Sequence, residues 1–270
     1  MAQGRIPGLS SGSPAAIALL LGVALLAWLL SVGRMTGMDA GPGTDPGTIG
    51  FYLATWVVMM AAMMFPSIAP MVRAHAAVER GRAELGEEEA GATAAFATGY
   101  LACWTAFGLG AYALLELGRA LHPAILDWDR GGPYLAGAVI LAAAAYQLTP
   151  LKDACLTQCR HPLEFVRGHW RDGLVGSLWM GAEHGAWCIG CCWALMAALF
   201  ALGAMSIGWM AFVAALIAIE KLVPWRAAAR GAIAVVLVAL GLAVAVAPER
   251  VPGLTVPSST GNAMTMEEGR

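Results

Sequence analysis

Met180-Gly-Ala-Glu-His184-Gly-Ala-Trp-Cys188-Ile-Gly-Cys191-Cys192-Trp-Ala-Leu-Met196 lies inside an apolar run that extends from about 173 to 201. Such a run exceeds the roughly 18 to 20 residues that carry a helix across the hydrocarbon core of a bilayer. A membrane β-barrel would instead show alternating segments of about ten residues, and the chain has no such pattern. The stretch therefore reads as a membrane-spanning helix and the fold as all-α. At about 100° per residue, Met180, His184, Cys188 and Cys191 share one stripe of that helix, with Cys192 beside it. Soft sulfur and imidazole donors along one line in hydrocarbon suit a soft metal ion.

The remainder of the 270 residues carries the same signature. The chain is 59% hydrophobic and 13% charged, against about one quarter charged in soluble domains. Apolar runs broken by charge, Pro and Gly predict a polytopic membrane helical bundle of about seven transmembrane helices, at 14–33, 50–72, 93–118, 131–150, 173–201, 205–223 and 228–247. They form one integral membrane domain, residues 1–250. Only Leu202-Gly203-Ala204 separates the fifth span from the sixth, which predicts a helical hairpin with a very short turn. The first run follows Arg5 and is not followed by a small-x-small cleavage pattern, so it is expected to stay as an anchor.

Lys and Arg in the connections divide eleven to five between the two sides. The positive-inside rule then puts the amino terminus in the cytoplasm of a bacterial inner membrane protein. Segments 41–47 and 79–89 read as solvated loops, and 251–270, rich in Pro, Ser, Thr and Glu, as a disordered tail. A net charge of −2, with basic residues confined to connections, excludes a nucleic-acid surface. No phosphate-binding Gly-rich loop, zinc-protease helix or serine nucleophile elbow occurs, which argues against an enzyme of those classes. Four of the six Cys lie in predicted spans and two in one short connection, unlike the disulfide framework of a secreted domain.

The second span adds thioethers. Met60, Met64, Ser67 and Met71 share one face by three- and four-residue spacing, while Met59 and Met63 share the next. Thioethers on a common face can hold Cu(I), although Met is also a common filler of membrane cores. Pro66 removes a backbone hydrogen bond and is expected to kink this helix near Ala62. Met60 and Met64 occupy the middle of a span running inward and His184 to Cys191 the middle of one running outward, so both groups share a depth.

A second cluster, Cys155, Cys159 and His161, follows Pro150. It reads either as a delivery site on the cytoplasmic side or as a surface turn with reduced thiols, and His169 lies near it. His75 and His122 are expected to be ordinary boundary residues. Glu116 and the Glu220-Lys221 pair sit near span ends, where snorkelling accounts for them. Glu183 lies deeper, beside His184, and could balance a bound cation.

Four ordered motifs carry a family resemblance: Met59-Met60-Ala-Ala-Met63-Met64-Phe65-Pro66-Ser67, Tyr146-Gln-Leu-Thr-Pro-Leu-Lys152 with Cys155 and Cys159, His184-Gly185 with Cys188-Ile-Gly-Cys191-Cys192-Trp193-Ala-Leu-Met196, and Glu220-Lys221. Over about residues 50–225 the chain resembles domain of unknown function family 2182, bacterial predicted metal-binding integral membrane proteins. The resemblance implies membrane location and metal binding through the matching Met, His and Cys.

The leading expectation is a bilayer protein that binds a soft transition metal, copper first and zinc second, for handling or delivery rather than catalysis. His184, Cys188, Cys191 and Cys192 are the expected ligands, with Met60 and Met64 as thioether donors and Cys155, Cys159 and His161 as a secondary site. A metallochaperone or a membrane complex is the expected partner. One rival is a thiol oxidoreductase cycling Cys188 and Cys191, although no second Cys pair stands on the outer side to relay electrons. Another is a scaffold subunit packing through its Gly, Ala and Met faces.

Overall fold

In the computed structural model, residues 14–35, 47–83, 90–121, 128 and 130–254 are described. They form helices α1 Pro14–Met35, α2 Ile49–Ala83, α3 Ala92–Leu121, α4 Gly132–Gln147, α5 Pro150–Arg160, α6 Pro162–Gly168, α7 Gly173–Leu202, α8 Ile207–Leu222 and α9 Arg226–Val246, followed by a 3-10 turn at Pro248–Arg250. The all-helical bundle is the one expected. Segment 41–47 up to residue 46, segment 84–89, His122, and the tail from residue 255 onward lie outside the described residues, while 79–83 continue α2.

By length and composition, fewer than seven helices qualify as spans. Five helices, α1, α2, α3, α7 and α9, are long and apolar enough to cross a membrane, and a sixth crossing arises if α4 and α5 count as one span bent by 67°. The expected sixth span, α8, has 16 residues, which reach only about 24 Å against a hydrocarbon core of about 30 Å. α4 is equally short because Pro150 forces a break. A residue before proline is pushed out of helical geometry, and Thr149 is extended at ψ 146°. Thr149 caps the new helix, its Oγ1 accepting from Lys152 N–H at 3.3 Å. α2, by contrast, runs as a helix through both Pro66 and Pro70.

Packing is set by small residues. α7 lies along α3, α4, α5 and α8, while α2 lies along α1, α3, α6 and α8. Gly99 and Gly181 let the backbones of α3 and α7 touch: a Cβ on Gly99 would stand 1.8 Å from Leu178 O, and one on Gly181 1.9 Å from Phe96 O. Gly137 and Gly241 do the same for α4 and α9. This is the small-residue packing of membrane helices, where apolar lipid supplies no hydrophobic drive between them.

The short turn between α7 and α8 is present, with Gly203 at φ 105° and Ser206 capping α8. An antiparallel hairpin brings together residues equally far from its turn. Cys188 is fourteen residues before the end of α7 and Lys221 fourteen residues after the start of α8, so the two arrive at one level.

Candidate metal centre

α5 and α7 supply the sulfurs. The 67° bend turns α5 across α7, so that Cys155 meets Gly190, where a Cβ would lie 2.7 Å from the Cys155 sulfur. One turn further on, Cys159 Sγ stands 3.9 Å from Cys191 Sγ. The sulfurs of Cys159, Cys188 and Cys191 all lie within 4.8 Å of one another. Ligand sulfurs about 2.3 Å from a shared ion stand about 4 Å apart in a trigonal plane, so the spacing suits one ion held by three thiolates. Cys192 Sγ is 3.3 Å from Cys191 Sγ, and Cys191 Sγ also donates to Cys188 O at 3.2 Å. Cys188, Cys191 and Cys192 are buried and Cys159 is partly buried; all six cysteines are free.

A polar shell surrounds Cys188. Lys221 Nζ donates to Cys188 Sγ at 2.9 Å and to Ser67 Oγ at 3.3 Å. The Tyr100 hydroxyl on α3 lies 3.0 Å from the same sulfur. Ser67 in turn donates to Met64 O at 2.8 Å. An ammonium held in a buried position requires a partner, and a thiolate at Cys188 satisfies that need. Snorkelling therefore does not describe Glu220 and Lys221: both are buried. Glu220 Oε2 pairs with Lys152 Nζ at 2.8 Å, with both side chains sealed from solvent. Arg160, next to Cys159, donates from its guanidinium to Glu220 O at 2.6 Å and to Val223 O, closing the carboxyl end of α8.

The expected secondary cluster is divided. Cys159 joins Cys188 and Cys191, Cys155 faces Gly190, and His161 Nε2 accepts from Arg226 at 2.8 Å while its Nδ1 lies 3.8 Å from Glu164. His169 is engaged with Phe165 O at 3.0 Å and Glu183 at 3.5 Å. Glu183 points to this partly exposed corner, where Arg171 is 3.7 Å away, rather than to the cysteines. Glu116 pairs with Arg119 at 2.9 Å on an exposed face, as its position near a span end implies.

His184 is buried one turn before Cys188, its ring packed against Phe96, Tyr100 and Phe165 at centroid distances of 6.1, 5.7 and 5.1 Å. His75, expected near a boundary, is buried within the protein, with Nδ1 3.3 Å from Thr93 Oγ1.

Met60 and Met64 are buried on α2, which runs antiparallel to α7 with α3 and α8 packed against both. Trp56 stacks on Phe200 at 5.8 Å, and Lys221 bridges Ser67 to Cys188. Eleven residues along α2 thus match twelve back along α7, which sets Met64 level with Cys191 and Met60 level with Leu195.

Lys221, Tyr100 and Ser67 are the polar partners that spacing on one helix does not reveal. Ser67 shares the Met60 and Met64 face in the sequence, and Lys221 carries the signal of a distance from the hairpin turn that matches that of Cys188.

A family described as PpoB2, copper chaperone, matches residues 53–244, a range that includes every residue of the centre and its polar shell, and the chain belongs to that family. No curated protein and no solved structure matches the chain.

Proposed function

We propose that this member of the PpoB2 copper chaperone family holds Cu(I) as cargo between Cys159, Cys188 and Cys191 and passes it to a partner, a soluble metallochaperone or a membrane complex. The observation that carries the reading is the convergence of three sulfurs from two separate helices within 4.8 Å. Thiolates select soft cations. Structural zinc sites are almost always closed by four protein donors, whereas the His, Cys, Asp and Glu donors grouped here among the described residues number three, which favours Cu(I). Cys192, 3.3 Å from Cys191, is the adjacent sulfur onto which the ion can shift during release. The chain lies in the bacterial cytoplasmic membrane, amino terminus inside, by the distribution of its Lys and Arg. A third sulfur beside Cys188 and Cys191 favours metal binding over a simple dithiol pair.

Elemental analysis of reduced, purified protein tests this. Wild type is expected to retain stoichiometric copper and the Cys188→Ser/Cys191→Ser variant to retain none; equal copper in both refutes the site.

Lys221 is expected to set the strength of that binding. Three thiolates around one Cu(I) leave net negative charge in a buried place, and the ammonium 2.9 Å from Cys188 offsets it. A hydrogen bond to a charged group contributes about 1.5–3 kcal/mol, so Lys221→Met should weaken copper binding roughly 10- to 100-fold. Competition with a Cu(I) chelator measures this, and an unchanged affinity excludes the role.

A further inference from the structure

Beyond Ser67, α2 places Met71 and His75 one and two turns further along the helix. Before Cys188, α7 places His184 and Met180 one and two turns back. The register set by the Trp56–Phe200 stack and the Lys221 bridge puts Met71 level with His184 and His75 level with Met180. Two contacts mark the last level independently. The His75 ring lies tilted against Trp170 at 5.4 Å, and the N–H of the next residue, Arg171, points to Met180 Sδ at 3.3 Å. Phe96 lies against both imidazoles, at 5.0 Å from His75 and 6.1 Å from His184. All four side chains are buried.

The two imidazoles are incompletely satisfied. His75 Nε2 and His184 Nδ1 are buried without a hydrogen-bond partner, a costly state for a polar atom. Thr93, 3.3 Å from Nδ1 of His75, orients that ring as the outer partner of a metal-binding histidine does, leaving Nε2 free. Soft donors therefore continue inside the bundle past the cysteines, in levels about 6 Å apart, the rise of four helical residues.

On the copper reading above, we propose that these levels form a route along which Cu(I) moves between the cysteine centre and the end of the bundle marked by Trp170 and Arg171. At each step one donor bond forms as another breaks, and the ion stays Cu(I), so no electron is transferred. Thioethers and neutral imidazoles bind without losing a proton, so the cation can travel these levels without proton release. Thiolate capture occurs only at Cys188 and its neighbours. Glu183, His169 and Arg171 form the polar corner beside this end.

The test separates rate from capacity. Reduced protein is mixed with the coloured bicinchoninate complex of Cu(I), and transfer is followed by loss of its colour. Met71→Leu and His75→Leu are expected to load at least about tenfold more slowly while reaching the wild-type copper content and the same thiolate–copper absorbance. Met71→His, which restores a donor, should load faster than Met71→Leu. Wild-type rates in both Leu variants, a reduced final copper content in both, or a Met71→His variant as slow as Met71→Leu overturns the route and leaves the cysteine centre standing. A wild type that takes up no copper overturns the centre, and the route with it.

Discussion

Glu220→Leu is expected to destabilise the protein by about 3–5 kcal/mol, the cost of removing one partner from a buried ion pair. Its carboxylate lies 2.8 Å from Lys152 Nζ, and both side chains are sealed from solvent. Removing it strands an ammonium in the first turn of α5, where unpaired charge is most costly. The effect should reach the metal centre. Lys152 and Arg160 tie the two ends of α5 to the carboxyl end of α8, and Cys159 sits in the last turn of that same helix. Copper held by Cys159 should therefore become accessible to a chelator in Glu220→Leu. The double variant Glu220→Leu/Lys152→Met removes both charges and fills the space with apolar side chains, a replacement that is often neutral, so it should recover most of the stability. Thermal unfolding in detergent decides the matter. A single variant as stable as wild type, or a double variant as damaged as the single, would mean that the pair does not hold α5 in place.

What the sequence made legible follows the range of its signals. Helical periodicity within one element placed Cys188, Cys191 and Cys192 on neighbouring faces of α7 and Met60 and Met64 on a common face of α2, because the 3.6-residue repeat is a local property. Apolar runs also gave an expected depth for Met64 and Cys191, and the links from Trp56 to Phe200 and from Ser67 through Lys221 to Cys188 run at compatible spacings along α2 and α7. The role of Cys159 was not. Its position depends on the break at Pro150 and on the 67° turn that follows; a proline announces a break but not the direction the chain takes afterwards. Grouping Cys159 with His161 by sequence proximity missed that Arg226, arriving from α9, engages the imidazole.

Charge near a span end was the second source of difference. Glu220 and Lys221 would snorkel if α8 met the bilayer surface at Leu222, but α8 ends among α5, α7 and α2 instead. A 16-residue helix leaves its carboxyl end short of the far surface, and charged side chains there acquire partners within the protein. The same short length turned seven expected spans into five or six.

Gly181→Leu should be among the most damaging of single changes on the α3–α7 face. Even the Cβ atom alone would come within 1.9 Å of Phe96 O, and one added at Gly99 would come within 1.8 Å of Leu178 O on the same interface. Overpacking a well-filled interior costs about 1–3 kcal/mol when side chains can yield; here the obstacle is backbone, so the helices themselves must separate. Separation withdraws Tyr100, one turn beyond Phe96 on α3, from Cys188, and copper retention should fall together with stability. The control lies on α3. A Cβ at Gly110 meets nothing within 4 Å, so Gly110→Ala should be tolerated and gain up to about 1 kcal/mol from helix propensity. Thermal melting and copper content of the two variants, measured side by side, give the answer. If Gly181→Leu folds and binds copper like Gly110→Ala, close backbone contact between α3 and α7 is not what positions the cysteine centre.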